Sequence, residues 1–497
     1  MPGNCARWCL LLIATLILAG SAGAADQDFF DIYTLEVEGE IYGHLNGEFD
    51  GDGLTDIIII YSPLNESFTR YAGLYLQKEA AGFRPRADYL IPLPSSAVQV
   101  DVGDVDRDGL DELLIIDGEG VLTVEYTREG GLTQPRRIIK RTTVYAIPAF
   151  YGIITAPFYF DIFQDGIAEI IIPVPRGYMI YERGDDGRHQ VLNQLSVPIY
   201  SRHQRRGLQD FSGRNIARLM IALPTIEVID GNGDNRLDLY FLWDHKICSY
   251  FQDETGNFAQ DPEVEVLFAP GYPSGYMQSR LADCNGDHLP DAVVTFTTGG
   301  ITNTETKLRF YISDNSGRIG HRPVSEISLS DSYCNLMVND YDRDGRPEVI
   351  IPAVEMGAIA ASKMFLLKKA DLHLLVYNMG SGLPGNEPEE RIKLGFRFDF
   401  DHHNPTGEVT IDWSDNYNAD PMLDAVFSDG EDRLLFYWGK QGDYLSSKPD
   451  LEVTLEHPAC LHPVHLNSGN LSDLIVEHNL TGRYDRLTVL KNRNNRQ

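Results

Sequence analysis

A nine-residue acidic pattern recurs eight times along this chain and constrains its fold more than any other feature. Three copies are complete: Glu48, Asp50, Asp52 and Asp56; Asp104, Asp106, Asp108 and Glu112; Asp340, Asp342, Asp344 and Glu348. Three are close relatives with asparagines at some positions: Asp230, Asn232, Asp234 and Asp238; Asp283, Asn285, Asp287 and Asp291; Asn416, Asn418, Asp420 and Asp424. Two worn copies end at Glu169 and Asp473. Oxygen-bearing side chains at positions 1, 3, 5 and 9 of one tight loop can converge on a single hard cation, and Ca2+, which takes several oxygens in flexible geometry, is the natural occupant. A single copy would read as a turn, since Asp and Gly make good turns. Six copies in register read as ligand sets.

The first three ligands fall where an EF-hand loop has them, but an EF-hand also needs a bidentate Glu at position 12 and flanking helices. Position 12 here is Ile59, Ile115, Phe241, Val294, Ile351 or Phe427, apolar in every case. Runs rich in branched residues follow the loops, such as Ile57 to Ile60 and Leu113 to Ile116. Short runs of this kind, bounded by Gly and Asp, read as buried strands. The EF-hand reading fails, and the fold class is all-β.

The position-9 carboxylates fall at 56, 112, 169, 238, 291, 348, 424 and 473, at intervals of 49 to 76 residues. That length holds four strands and their turns, the content of one blade of a β-propeller. For residues 98–155 the reading places strand A up to Val102, strand B over Glu112–Asp117, strand C over Val121–Thr127 and strand D around Ile138–Tyr145. The residues after Asp473 suffice for strands B and C of a last blade but not for D. An N-terminal segment, Ile32–Glu38, is surplus to the first blade and would supply the missing strand, removing an exposed sheet edge. Eight blades closed by an N-terminal strand is the expectation; seven is the alternative if one worn motif is not a blade.

Asp-x-Asp-x-Asp-Gly-x-x-Asp followed by a hydrophobic strand resembles the FG-GAP/VCBS repeats and is similar to the calcium loops in the propeller of integrin alpha subunits. The resemblance covers nearly all of the chain after its N-terminal segment. It implies a loop joining strands A and B, with side chains 1, 3, 5 and 9 and the carbonyl of position 7 as ligands, up to about six calcium sites, and an adhesion or recognition role. Asn235 and His288 replace the Gly of position 6, and Pro421 at that position cannot adopt φ > 0. Phe163 stands at position 3 of the third repeat, and His465 and Gly469 stand at positions 1 and 5 of the eighth, so those two are expected to hold no metal. The expected role of the ion is to pin the loops.

Arg7, the apolar stretch Cys9–Leu18 and the small residues through Ala24 read as a secretory signal peptide over residues 1–24, leaving one propeller domain over 25–497. No stretch approaches membrane-spanning length, so the expectation is an exported protein, periplasmic or secreted, with no membrane insertion. The net charge of −31 argues against nucleic acid as a partner. Export permits disulfides, and Cys248 with Cys284, from neighbouring blades, is the pairing to test, with buried thiols as the alternative.

Function is less legible, because a propeller does not dictate it. Tyr200–Arg218 reads as a loop carrying Arg202, His203, Arg205, Arg206, Arg214 and Arg218, a basic patch suited to carboxylate or sulfate groups. Gly380–Gly395 reads as a surface excursion. Tyr272, Tyr276, Trp413 and Trp438 lie near turns, where an aromatic face can stack on a sugar. The expectation is a non-enzymatic recognition, adhesion or scaffold protein with an extracellular glycan or protein as partner. The alternative is a lyase-type polysaccharide-degrading enzyme, which would need a general base such as His203 or His402. Neither histidine, nor His403 beside it, has convergent partners in the sequence.

Overall fold

The computed structural model describes residues 29–496 apart from 65–68, 80, 146–152, 206–216, 270–275, 300–303, 331, 356–357, 380–381, 398–409, 430–431, 443, 468 and 479–484. The signal-peptide segment, Arg206, Arg214, Tyr272, His402 and His403 lie outside the described residues.

Eight antiparallel sheets follow one another as the blades of an eight-bladed β-propeller. Blade 1 has strands Gly39–Gly47, Asp56–Pro63, Arg70–Tyr75 and Tyr89–Leu93, which we term A to D. In every blade strand B begins at the position-9 carboxylate: Asp56, Glu112, Glu169, Asp238, Asp291, Glu348, Asp424 and Asp473. In blade 2 the expected strand B, Glu112–Asp117, is the strand observed. Strand C runs Gly120–Val124, and strand D, Arg136–Lys140, ends earlier than expected.

The apolar runs after the loops are continuous because both faces of each blade are buried. Ile58 and Ile60 pack toward blade 2, while Ile57 and Ile59 pack toward blade 8. The same alternation produces eight hydrophobic cores, one at each seam between neighbouring blades. The last of them joins Ile475 and Val489 of blade 8 to Ile57 and Ile59 of blade 1, so the ring is closed.

Closure comes from the N-terminus. Phe30–Glu36 pairs antiparallel with Arg486–Asn492 over seven residue pairs, from Phe30 opposite Asn492 to Glu36 opposite Arg486, and so becomes strand D of blade 8. Phe30 is 1% exposed among Tyr417, Phe436 and Phe29, and Leu35 is buried in the core between blades 8 and 1.

Strands A of successive blades approach one another, which puts them innermost. Glycine permits this spacing. A Cβ on Gly103, at the end of strand A of blade 2, would lie 2.1 Å from the Tyr159 ring on strand A of blade 3. That ring is held in place by its hydroxyl, which donates to the Asp104 carbonyl at 2.6 Å. Gly103→Ala is therefore expected to cost about 1–3 kcal/mol through overpacking, read as a lowered thermal midpoint; an unchanged midpoint would show that the inner ring has slack. Ile154–Thr155 adds a further strand, parallel to Gln99–Gly103, on the inner edge of blade 2. No sequence signal marked it.

Three expectations need correction. Part of Tyr200–Arg218 is a two-stranded ribbon, Tyr200–Arg205 against Ala217–Ala222, rather than a loop, with six residue pairs from Tyr200 opposite Ala222 to Arg205 opposite Ala217. The end of Gly380–Gly395 belongs to strand D of blade 6, Glu390–Arg397; the larger insertion in this blade is the helix Ala358–Leu367 between strands B and C. Cys248 and Cys284 are separate buried thiols: Cys248 packs in the core toward blade 3, and Cys284 in the core toward blade 6. They point away from each other across two blades.

Candidate metal centres

Each acidic loop joins strands A and B of its blade, and in blades 1 to 6 its geometry follows from two residues the chain bends into the left-handed region. Positions 4 and 6 both have φ > 0: Gly51 and Gly53, Arg107 and Gly109, Gln164 and Gly166, Gly233 and Asn235, Gly286 and His288, Arg343 and Gly345. Glycine at position 6 was legible; the strain at position 4, borne by Arg107, Gln164, Arg343 and Ala419, was not. A non-glycine residue there costs roughly 1–2 kcal/mol, so the surrounding loop must hold it in place.

The position-9 carboxylate fixes the loop from below. In all eight blades one of its oxygens accepts the backbone N–H of position 2, at 2.7 to 3.2 Å. In the blades with Asp at position 9, the second oxygen accepts an N–H from the end of strand C: Gln77, Gln252, Ser313, Gly439 and Asn492. Glutamate, one methylene longer, does not make that second bond. Glu348 Oε1 is left buried with no hydrogen-bond partner. Position 9 is therefore a structural pin in every blade, with an oxygen to spare in the glutamate blades.

Position 1 organises the rest. The Asp104 carboxylate accepts the N–H groups of Asp108 at 3.1 Å and Gly109 at 3.0 Å, and Asp340 does the same for Asp344 and Gly345. Asp230 and Asp283 repeat the pattern with Asn235 and His288 at position 6. Pro421 has no N–H to give, and there the position-1 residue is Asn416, whose amide donates to the Asp420 carbonyl instead. That loop is closed by a hydrogen bond where the others present an oxygen.

The sequence-derived ligand sets come together to different degrees. Asp104, Asp106, Asp108 and Glu112 place one oxygen each within 4.8 Å of one another; Glu48, Asp50 and Asp56 do so in blade 1, and Asp340, Asp342 and Asp344 in blade 6. In blade 1 the Lys78 ammonium lies 2.5 Å from Asp50 and 3.5 Å from Asp52, an internal cation within the ligand set. Arg236 pairs with Asp234 in blade 4, and the amides of Asn285 and Asn418 donate to Asp287 and Asp420 in blades 5 and 7. The worn loop of blade 3 keeps the fold of the others, with Asp161 accepting from Asp165 and Gly166.

Burial pushes the position-9 carboxyls upward, against the opposing pull of their backbone N–H bonds. Glu112, Glu169 and Glu348 rise to about 8, Asp56 and Asp424 to about 7, and Asp238 and Asp291 to about 6. Nearby loop carboxylates add to the rise. A divalent cation would reverse this by stabilising the charged forms. The oxygen-rich, anionic donor sets of blades 2 and 6 fit Ca2+.

Of the aromatics singled out from sequence, Trp413 is core: it is 1% exposed, tilted against Tyr341, and its indole N–H donates to the Leu423 carbonyl. Trp438 stacks on Phe29. Tyr276 is exposed, its hydroxyl accepting from Gln278.

Fold and loops together define a β-propeller built from repeated acidic A–B loops. Residues 49–115, from the loop of blade 1 into strand B of blade 2, match the FG-GAP-like repeat family. Over 100 residues the chain is 35% identical to the phosphatidylinositol-glycan-specific phospholipase D of Mus musculus, a stretch covering 18% of this chain and 12% of that protein. Among solved structures, an Agrocybe aegerita lectin that recognises non-reducing terminal N-acetylglucosamine aligns over 93% of this chain and 95% of its own, at 13% identity and a TM-score of 0.42. The V. cholerae biofilm matrix protein Bap1 aligns over 93% and 91%, at 10% identity and the same TM-score. No helix among the described residues is long and apolar enough to cross a membrane.

Proposed function

We propose that the chain is an exported, calcium-stabilised recognition propeller that binds a protein partner on one face and carries its metal loops on the other. The observation that carries this reading is how the insertions divide. In an antiparallel blade the A–B and C–D connections emerge on one face and the B–C and D–A connections on the other. The acidic loops are A–B connections, and the neighbouring C–D hairpins brace them, as when Arg183 donates to the Val105 carbonyl and Arg128 to that of Asp50. The ribbon Tyr200–Ala222 is a D–A insertion, and the helix Ala358–Leu367 is a B–C insertion. Both belong to the opposite face.

That face also carries exposed aliphatic side chains: Leu64 in the B–C connection of blade 1, and Ile359, Leu366 and Leu367 on the helix, which are 87%, 82% and 61% exposed. Burying such a side chain in an interface contributes about 1.5–3 kcal/mol. Aliphatic contacts of this kind suit a protein surface better than a glycan, which would ask for aromatic platforms. Export rests on the N-terminal sequence, and calcium on the loop chemistry.

The test is retention on the immobilised chain, in calcium, of extracellular proteins from the producing cells and of a panel of extracellular polysaccharides, with polysaccharide chain length also read. The expected outcome is a specific protein retained by the wild type and lost from the triple variant I359E/L366E/L367E, with an unchanged thermal midpoint. Shortened polysaccharide chains would replace this reading with that of a polysaccharide-degrading enzyme.

A further inference from the structure

Where the ring closes, three side chains from distant parts of the chain meet on its inner strands. His44 lies on strand A of blade 1, His462 on strand A of blade 8, and Glu477 on strand B of blade 8. His44 Nδ1 is 3.9 Å from Glu477 Oε1, and His462 Nε2 is 3.4 Å from the same oxygen. The imidazole rings stand edge to face with centroids 4.7 Å apart. All three ligand atoms lie within 4.8 Å of one another.

Two features separate this cluster from an ordinary ion pair. His44 Nδ1 and His462 Nε2 are both buried atoms that face Glu477 Oε1 without forming a well-aligned hydrogen bond, and the His44 side chain is only 7% exposed. A single His–Glu pair would leave the other ring nitrogen orphaned, and a buried polar atom without a partner is costly. One cation among the three atoms would satisfy all of them. The separations also fit. Ligands about 2.0–2.1 Å from a tetrahedral ion stand roughly 3.3 Å from one another. Cys460 stands directly opposite Glu477 on the neighbouring strand, placed to supply the kind of outer contact that orients a metal ligand.

We propose that His44, His462 and Glu477 bind a divalent transition metal at the seam between blades 8 and 1. Two imidazoles and a carboxylate select ions such as Zn2+ or Co2+ over Ca2+, which prefers an all-oxygen shell. The site is incomplete until the ring closes, because its ligands come from the first and last blades. His462, 41% exposed, opens it to solvent and leaves room for a further ligand such as water.

The experiment is titration of the full chain with Co2+ in the presence of millimolar Ca2+, so that the acidic loops are already occupied, followed by displacement with Zn2+. The expected result is one Co2+ per chain with a visible d–d spectrum, abolished by Zn2+. His462→Ala and Glu477→Gln should each weaken binding at least about tenfold while keeping the wild-type thermal midpoint in calcium. His457→Ala, a surface histidine, should leave it unchanged. Absence of a saturable spectrum in the wild type, or its survival in both ligand variants, would overturn the assignment. If one ligand variant fails to fold, the other decides.

Discussion

Removing the N-terminal strand is expected to open the ring, and it is the largest single effect the fold predicts. Deleting residues 25–38 takes away strand D of blade 8, leaving Arg486–Asn492 as a bare edge. It also removes Phe30 and Leu35 from the two cores that flank blade 8. Exposed edges pair with other chains, so the truncated protein should elute as oligomers and melt well below the full chain. A milder version isolates the packing term. Phe30→Ala keeps the backbone pairing but empties a fully buried aromatic site, with an expected loss of about 3–5 kcal/mol. Monomeric elution and an unchanged melt for the deletion would mean that the strand is ornamental and that blade 8 stands without it.

Calcium is expected to produce the second large effect, with a dependence on pH that follows from the buried carboxyls. If the loops bind in the range of extracellular modules, about 10⁻⁴ M, then 10 mM calcium stabilises by about 2.7 kcal/mol per site. Occupied loops in blades 2 and 6 would therefore contribute about 5 kcal/mol between them. In chelator, Glu112, Glu169 and Glu348 titrate near 8 in the folded chain, against an ordinary carboxyl value near 4 when unfolded. Between those values the folded state holds more protons than the unfolded one, so stability falls as pH rises through that window. The thermal midpoint in chelator should drop from pH 5.5 to pH 8. Calcium, which binds the deprotonated form, should raise the midpoint most at pH 8 and least at pH 5.5. A calcium shift independent of pH would detach the ion from these carboxylates.

Much of the architecture was legible in the sequence because the repeat couples two signals. The carboxylate that ends each loop also begins strand B, so the acidic spacing alone marked the inner half of every blade. The apolar run after it was visible because both blade faces are buried. What escaped was set by contacts between distant residues. The strand Ile154–Thr155 pairs parallel to a strand far back in the chain, and no local period announces it. The helix Ala358–Leu367 lacks an acidic first turn and a basic last turn, so its boundaries carry no signal. The thiols Cys248 and Cys284 came from neighbouring blades, but Cys248, on strand C of blade 4, packs toward blade 3, and Cys284, at position 2 of the blade 5 loop, packs toward blade 6.

Sequence ranked the loops by completeness, three complete and three with asparagines, whereas the fold separates them by what each position-9 side chain does with its second oxygen. Asp56, Asp238, Asp291 and Asp424 give it to a backbone N–H, and Glu112 and Glu348 do not. Lys78, 28 residues beyond Asp50, enters the first loop from a hairpin that no motif predicts. The His44, His462 and Glu477 cluster was hidden for a related reason: its members lie at opposite ends of the chain, and only ring closure brings them together.

Equilibrium dialysis of the full chain against millimolar calcium, counting ions in the wild type, in E112Q, in E348Q and in the double variant, tests the central claim most directly. The account predicts at least about two ions in the wild type, one fewer in each single variant and two fewer in the double variant. A wild type with no bound calcium, or a double variant that keeps the wild-type count, would contradict it.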